Sequence, residues 1–185
     1  MRTCLLVIDA QESFRYRPYF SARDVPAYLD AQNGLIEGAR RRGIPIVRVF
    51  HVERDPQSPF AVESGHVRPL KGLVDFDAAI ALRKRRHSAL VGSGLDVWLN
   101  ENGIDDVIVS GIRTEQCCET TARHASDLGY RVQFVLDATL TFDMHHADGS
   151  LYAASDIKTR TRTVLDDRFA TVCSMEHALE TVSRN

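Results

Sequence analysis

Residues 107–121 read VIVSGIRTEQCCETT, and this stretch decides the fold. It begins with alternating β-branched residues, passes a Ser-Gly pair, and reaches the adjacent Cys117 and Cys118 before a helix-like run from Thr120 to Leu128. This pattern predicts a strand, a tight turn and a helix. Backbone N–H groups at a helix N-terminus stabilise a thiolate and could hold an oxyanion, which favours a reactive cysteine. The alternative is a buried cysteine that only packs as a small hydrophobe.

The segments on either side continue the alternation of strands and helices. The sequence predicts strands at 3–8, 44–50, 78–82, 105–110, 131–136 and 169–173, and helices at 25–42, 94–102, 120–128, 151–165 and from Met175 onward. A continuous apolar run such as TCLLVI is typical of a parallel strand that is buried on both faces. We therefore expect an α/β fold. It would be a single doubly wound, Rossmann-like domain over residues 1–185, with a mostly parallel sheet of about six strands flanked by helices.

The composition indicates an ordinary globular protein of 185 residues, with 44% hydrophobic and 26% charged residues. A formal net charge of −2 gives no electrostatic reason to expect nucleic acid. The four cysteines show neither CxxC spacing nor a secreted disulfide framework, so we expect reduced thiols. The chain opens on a strand rather than a secretion signal, and it has no apolar run that could span a bilayer. We expect a cytoplasmic protein without membrane contact.

Polar residues occur where two of the predicted strands end. Asp9 directly follows the first strand, and Lys84 follows the third among three arginines. Ligands of open α/β sheets bind at the carboxyl ends of the strands, and a cation there lowers the pKa of a nearby thiol. Asp9, Lys84 or a neighbour, and one of the two adjacent cysteines are therefore candidate catalytic residues. An aspartate that only caps a turn is the alternative for Asp9.

Two irregular segments are predicted near this edge. Residues 16–23 are aromatic and basic, and the proline- and glycine-rich segment 51–72 has the length of a functional loop. His51 and His66 lie in the second segment, but no Asp-x-His pair or tight ligand cluster accompanies them. We therefore expect packed or exposed histidines, with no metal and no cofactor.

Two longer stretches of the sequence resemble a known protein family. LLVIDAQESF (5–14) and KRRHSALVGSGLDVWLNENGIDDVIVSGIRTEQCCETTARHASDLGYRVQFVLDAT (84–139) strongly resemble the isochorismatase-like cysteine hydrolases, which include nicotinamidases and related amidases. The resemblance covers nearly the whole chain, and the three family signatures occur in the right order.

The resemblance implies a role for each candidate. Asp9 matches the general acid/base and Lys84 the catalytic lysine of the family. The family pattern of Gly, two residues, Thr, two residues and Cys is met by Gly111, Thr114 and Cys117, which makes Cys117 the nucleophile. Its neighbour Cys118 then occupies the following, usually apolar, position.

Relatives also have a non-proline cis peptide in this turn, which the resemblance places between Ile112 and Arg113. It would aim the backbone N–H groups of Arg113 and Cys117 at one oxyanion. The implied activity is hydrolysis of a small amide through a covalent Cys117 thioester, with an Asp-Lys-Cys triad. The implied partners are a small-molecule substrate and further copies of the chain, as a homo-oligomer (dimer or tetramer).

Two departures from the family patterns concern the substrate. The string FHVERD lacks the Asp-x-His motif of nicotinamidases, which argues against a metal and against nicotinamide. Arg113 occupies a position that is commonly small, where it either pairs with a substrate carboxylate or points into solvent or a subunit interface. The candidate substrate-binding residues are Phe14, Gln11, His87 and Arg113. Tyr19 is a further pocket candidate whose alternative is simple packing.

Other functions stay open on the sequence. An isochorismatase-type hydrolase of a non-amide small molecule, or an idle family member that serves as an interaction module, would also fit the resemblance. Nucleotide binding would need a glycine-rich loop after the first strand, where AQESF supplies none. A redox role for Cys117 and Cys118 would require a strained vicinal disulfide.

Overall fold

A parallel six-stranded sheet forms the centre of the computed structural model, which describes residues 2–182. Its strands are β1 (Thr3–Ile8), β2 (Ile46–His51), β3 (Ile80–Lys84), β4 (Asp106–Ile112), β5 (Arg131–Leu140) and β8 (Thr171–Cys173). Their order across the sheet is β3-β2-β1-β4-β5-β8, and every neighbouring pair is parallel. A separate two-stranded hairpin consists of β6 (Met144–His145) and β7 (Leu151–Tyr152).

Five α-helices cover both faces of the sheet. They are α1 (Val25–Arg41), α2 (Leu95–Glu101), α3 (Glu119–Asp127), α4 (Ala154–Leu165) and α5 (Met175–Val182). Successive side chains of β1 point to opposite faces, so Leu6 packs in a cluster with α2 and α3, whereas Leu5 packs in a cluster with α1 and α5. Burial on both faces explains why TCLLVI lacks a polar alternation. The predicted doubly wound α/β fold is confirmed.

The strand order reverses between β1 and β4. From β1 the chain moves outward through β2 and β3, and it then returns to the other side of β1 with β4. Such a switch point opens a crevice at the carboxyl ends of the two strands, where ligands of this architecture bind. Asp9 follows β1 and Cys117 follows β4, so the topology alone brings both residues to this crevice.

Most of the predicted boundaries lie within two residues of the observed ones, and two differ by more. Strand β5 does not end before Asp137 but continues to Leu140, because a register shift between Val109 and Gly111 of β4 lets the two strands resume their pairing. The helix predicted from residue 151 begins at Ala154, since residues 151–152 pair in the hairpin and Asp143 Oδ1 accepts the Ala154 N–H at 2.8 Å. Residues 12–16, to which the sequence assigned no element, form a short 3₁₀ helix.

The long segment between β2 and β3 is irregular, as predicted, apart from a 3₁₀ turn at Val62–Ser64. It is fastened to the 3₁₀ helix of residues 12–16. Glu12 Oε1 accepts the Lys71 N–H at 2.6 Å, Ser13 Oγ donates to the His66 carbonyl at 3.0 Å, and the ring of Tyr16 stacks on His66 at 3.7 Å. These contacts hold both segments over the same end of the sheet. Within residues 2–182, no helix is long and apolar enough to cross a membrane.

Candidate active site

The close approach of β1 and β4 sets the position of Asp9. Gly111 has a φ of 126°, and a Cβ there would lie 1.9 Å from the Ile8 carbonyl oxygen, so glycine alone fits. Asp9 itself has a φ of 51°, a left-handed conformation that aspartate tolerates better than most side chains. Its backbone N–H donates to the Val49 carbonyl at 2.8 Å. The carboxylate of Asp9 is thereby fixed, fully buried, at the crevice.

Lys84 is the last residue of β3, and its ammonium group joins the candidate residues. The Lys84 Nζ atom lies 2.6 Å from Asp9 Oδ2, 3.2 Å from Cys117 Sγ and 3.4 Å from His51 Nδ1. An ammonium group has three N–H donors, and these three contacts account for all of them. Burial lowers the pKa of Lys84, but the charge of Asp9, helped by the contact with Cys117, outweighs burial and leaves the pKa raised. Lys84 therefore stays a cation.

Cys117 lies in a π-helical turn, Thr114–Cys118, between β4 and α3. The peptide bond before Arg113 is cis, as the resemblance implied. The Thr114 hydroxyl donates to Thr139 at 2.8 Å, and the Thr121 hydroxyl donates to the Cys117 carbonyl at 2.6 Å, so both ends of the turn are anchored. Burial, followed by the charge of Asp9, raises the pKa of the Cys117 thiol, whereas Lys84 lowers it. The resting group is a thiol.

His51 is a site residue that the sequence did not indicate. It pairs with Lys84 in the register of β2 and β3, which places its ring against the ammonium group. Burial lowers the pKa of His51, and Lys84 lowers it further. A neutral ring accepts from Lys84 at Nδ1 and carries its proton on Nε2, which lies 3.6 Å from Glu53 Oε1. No spacing in the sequence could reveal this contact, because it depends on the register of two strands.

Gln11 is buried behind the site and does not line its cavity. Its side-chain oxygen accepts the His51 N–H at 2.8 Å, and its side-chain nitrogen donates to the His51 carbonyl at 3.1 Å and to Ser13 Oγ at 2.8 Å. The predicted substrate-binding role is therefore replaced by a positioning role, because the amide is fully used in holding the end of β2.

A cavity of about 260 Å³ opens above the Cys117 thiol. Its walls include four of the residues that the sequence singled out for the pocket: Phe14, Tyr19, His87 and Arg113. The His87 ring is exposed, and its Nδ1 lies 3.8 Å from Cys117 Sγ. The remaining walls come from Asp9, Arg17, His51, Glu53, Phe60 and Gln116. The cavity thus combines aromatic surfaces with charged groups and ends on the thiol.

Arg113 does not point into solvent, since its side chain is only 7% exposed. Its Nη2 lies 2.9 Å from Glu115 Oε1, and its guanidinium carbon lies 4.7 Å from the centre of the Tyr19 ring. Glu115 is held in turn by the Thr141 hydroxyl at 2.6 Å. The charge of Arg113 is therefore already neutralised within the protein.

Among residues 2–182, no group of three or more histidine, cysteine, aspartate or glutamate side chains is arranged to hold a metal ion. Within the site, His51 is engaged with Lys84 and Glu53.

Comparisons with known proteins agree with this geometry. The Isochorismatase domain model matches residues 3–176. Nicotinamidase 3 of Arabidopsis thaliana is 31% identical over 77% of this chain and 76% of its own length, and streptothricin hydrolase of Streptomyces noursei is 30% identical over 90% of this chain and 57% of its own length. A crystal structure of an isochorismatase-family hydrolase from Chromobacterium violaceum superposes with a TM-score of 0.90 at 25% identity, covering 100% of this chain and 95% of that one. The chain belongs to the isochorismatase family of hydrolases.

Proposed function

We propose that the protein hydrolyses a small amide, with Cys117 as nucleophile, Asp9 as general acid/base and Lys84 as the cation between them. The observation that carries this proposal is the bridge of the Lys84 ammonium group, 2.6 Å from Asp9 and 3.2 Å from the Cys117 sulfur, at the floor of a cavity. A nucleophile, a base and a group that orients both within hydrogen-bond reach are the requirements of covalent catalysis.

The first step transfers the thiol proton of Cys117 to the Asp9 carboxylate while sulfur attacks the amide carbonyl carbon. Because the pKa of the buried thiol is raised, the thiolate forms with the attack rather than beforehand. Lys84 stays charged throughout and stabilises the negative charge as it moves from Asp9 to sulfur and the substrate. The backbone N–H groups of Arg113 and Cys117 are the proposed donors to the oxyanion of the tetrahedral intermediate.

Collapse of the intermediate breaks the C–N bond. The leaving nitrogen takes the proton that Asp9 holds and departs as ammonia or an amine, which leaves a thioester on Cys117. A water molecule then attacks the thioester carbonyl, giving one proton to Asp9. The second collapse releases the carboxylic acid, and the sulfur recovers its proton from Asp9.

Two observations favour an amide over other substrates. Cys117 lies at the end of the cavity, as a covalent mechanism requires. Two of the similar proteins bear names that specify hydrolysis, nicotinamidase and streptothricin hydrolase, and the first of these names an amide substrate. The homo-oligomeric assembly stays a prediction.

The test is ammonia release from a panel of small primary amides and ureido compounds by the purified protein and by Cys117→Ala. We expect release by the wild type with at least one compound and a loss to the background rate in the variant. Ammonia release that persists in Cys117→Ala would reject the covalent mechanism. Absence of release from every compound would reject the amide assignment.

A further inference from the structure

One cation of the cavity has no part in the mechanism above. Arg17 lines the same cavity as Cys117, and it is half-buried there. Its guanidinium carbon lies 5.7 Å from the centre of the Tyr19 ring, whose other cationic neighbour is Arg113. Two guanidinium groups therefore flank one aromatic side chain in the wall of the cavity.

The main chain at Arg17 is fixed. Arg17 follows the 3₁₀ helix Glu12–Tyr16, and its backbone N–H donates to the Phe14 carbonyl at 3.0 Å. Its own carbonyl accepts the Phe20 N–H at 3.0 Å, and the Tyr16 ring beside it stacks on His66. The guanidinium group therefore extends from an ordered turn into the cavity, as a pre-organised binding group would.

The side chain of Arg17 lacks the partners that neutralise its neighbours. Its Nε is buried without a hydrogen-bond partner, and no carboxylate of residues 2–182 lies within ion-pair distance of it. Arg113 pairs with Glu115 at 2.9 Å, and Arg15 lies 3.9 Å from Glu12. A buried charged donor without a partner is costly unless a ligand supplies the acceptor.

The two acidic residues of the cavity wall, Asp9 and Glu53, do not fill this role, since Asp9 is paired with Lys84. Glu53 accepts the Ser58 hydroxyl at 2.5 Å through Oε2, and its Oε1 lies 3.6 Å from His51 Nε2. Both carboxylate oxygens are thus directed to neighbours on the β2 side of the cavity. Arg17 keeps its positive charge available to a ligand.

Resting on the proposed function, we infer that Arg17 binds a carboxylate of the substrate, so that the substrates are small acidic amides. A guanidinium group pairs with a carboxylate through two parallel hydrogen bonds. A cavity of about 260 Å³ has room for about nine water-sized groups, taking ~30 Å³ for each. A compound that carries one amide and one carboxylate on a short carbon chain fits this volume.

Matched substrate pairs provide the first test. Succinamate and its methyl ester differ in charge but share the amide, and ammonia release from each gives kcat/KM for the wild type, Arg17→Gln and the control Arg15→Gln. Arg15→Gln removes the same charge from the same turn outside the cavity. We expect Arg17→Gln to lose about 10- to 100-fold for the acid and less than about threefold for the ester, while Arg15→Gln changes neither. Equal losses for acid and ester would overturn the inference.

The second test does not depend on turnover. Iodoacetate and iodoacetamide alkylate the same thiol but differ in a carboxylate, so their rate ratio at Cys117 reports anion binding without any amide substrate. We expect Arg17→Gln to lower this ratio about 10-fold, with Arg15→Gln equal to the wild type. A ratio unchanged in Arg17→Gln would overturn the inference. If Arg17→Gln does not fold, Arg17→Lys keeps the charge without the bidentate fork, and an intermediate ratio is expected.

The two tests separate the inference from the proposed function. Cys117-dependent ammonia release that is equally fast from acid and ester would leave the amidase proposal standing and reject the role of Arg17. No ammonia from any amide, combined with a ratio that falls in Arg17→Gln, would support the anion site and reject the amidase.

Discussion

Glu119 and Asp9 are both buried carboxylates, but they differ in their hydrogen-bond and ion-pair partners. Glu119 begins α3, two residues after Cys117, and its oxygens accept from Arg123 at 3.0 Å, from Arg160 at 2.6 and 2.7 Å and from the Thr161 hydroxyl at 2.9 Å. Among residues 2–182, Asp9 pairs with the single cation Lys84, and it faces a cavity.

The difference separates a structural ion cluster from a reactive one. Glu119 has all its acceptor capacity occupied, and its contacts join α3 to α4 beneath the turn that carries Cys117. Asp9 is held by one cation that also contacts the thiol, which leaves the carboxylate free to exchange a proton. A saturated network stabilises a fold, whereas an incomplete one beside a cavity is suited to chemistry.

The largest expected effect concerns the two adjacent cysteines. We expect Cys117→Ala to abolish turnover and Cys118→Ala to retain most of it, because only Cys117 contacts Lys84 and lines the cavity. Cys118 is fully buried in the core, so its truncation should lower the free energy of unfolding by about 1 to 2 kcal/mol. Steady-state kinetics and urea unfolding of both variants provide the measurement. Comparable losses of activity in the two would show that the nucleophile is wrongly assigned.

The two carboxylates can be compared directly by neutral substitutions. Asp9→Asn keeps a residue that tolerates the left-handed backbone, and we expect it to reduce kcat by about 10²- to 10⁴-fold because the proposed general base is lost. Glu119→Gln should keep kcat within a few-fold while lowering the free energy of unfolding by about 1 to 3 kcal/mol. The kcat and the free energy of unfolding of each variant would be measured at a temperature where that variant is folded. Similar reductions of kcat in Asp9→Asn and Glu119→Gln would contradict the distinction between the two clusters.

The cations of the two clusters should differ in their contribution to stability. Lys84→Met leaves the buried Asp9 unpaired and is expected to lower the free energy of unfolding by about 3 to 5 kcal/mol. The double variant Lys84→Met/Asp9→Asn should recover part of this loss, because it also removes the unpaired charge. Arg160→Met should cost less than about 1 kcal/mol, since the Arg160 side chain is 48% exposed and Glu119 keeps other donors. Urea unfolding of these four proteins, the wild type included, checks the order. A larger loss of unfolding free energy in Arg160→Met than in Lys84→Met would contradict the expected order.

The smallest expected effect is on pH dependence. Burial, with the charge of Lys84 added, lowers the pKa of His51 in the folded protein. The unfolded chain then takes up a proton more readily, near a pH of about 6.5, so stability is lost as the pH falls from there through the folded pKa. His51→Asn should reduce the difference in unfolding free energy between pH 7 and pH 5, while the exposed His177→Asn serves as the control. If His51→Asn and His177→Asn change the difference in unfolding free energy between pH 7 and pH 5 equally, His51 is not the source of this pH dependence.

The predicted strand ends brought Asp9, Lys84 or a neighbouring arginine, and one of the two adjacent cysteines to one edge of the sheet. The family resemblance then selected Lys84 and Cys117. Asp9 follows a doubly buried strand and Cys117 follows a glycine that the approach of β1 requires. His51 could not be assigned, since its contact with Lys84 arises from the register of β2 and β3.

The substrate-binding residues depended on contacts that no pattern records. The sequence left two alternatives for Arg113, a substrate carboxylate or a position in solvent or a subunit interface, but the side chain is buried and pairs with Glu115. Arg17 has no such partner among residues 2–182. Gln11 looked like a polar loop residue, but its amide is occupied by the main chain of His51. Such contacts exist only in the folded chain, so no sequence pattern could indicate them.

The central claim is that an acyl group is carried by Cys117. The most direct measurement is intact-protein mass spectrometry after acid quench of Cys118→Ala during turnover of an amide that the ammonia assay identifies. We expect an added mass equal to the acyl group of the substrate, which is absent in Cys117→Ala/Cys118→Ala and is removed by hydroxylamine. Turnover at full rate under these conditions with no acyl adduct on Cys117, or with the adduct in the double variant, would contradict it.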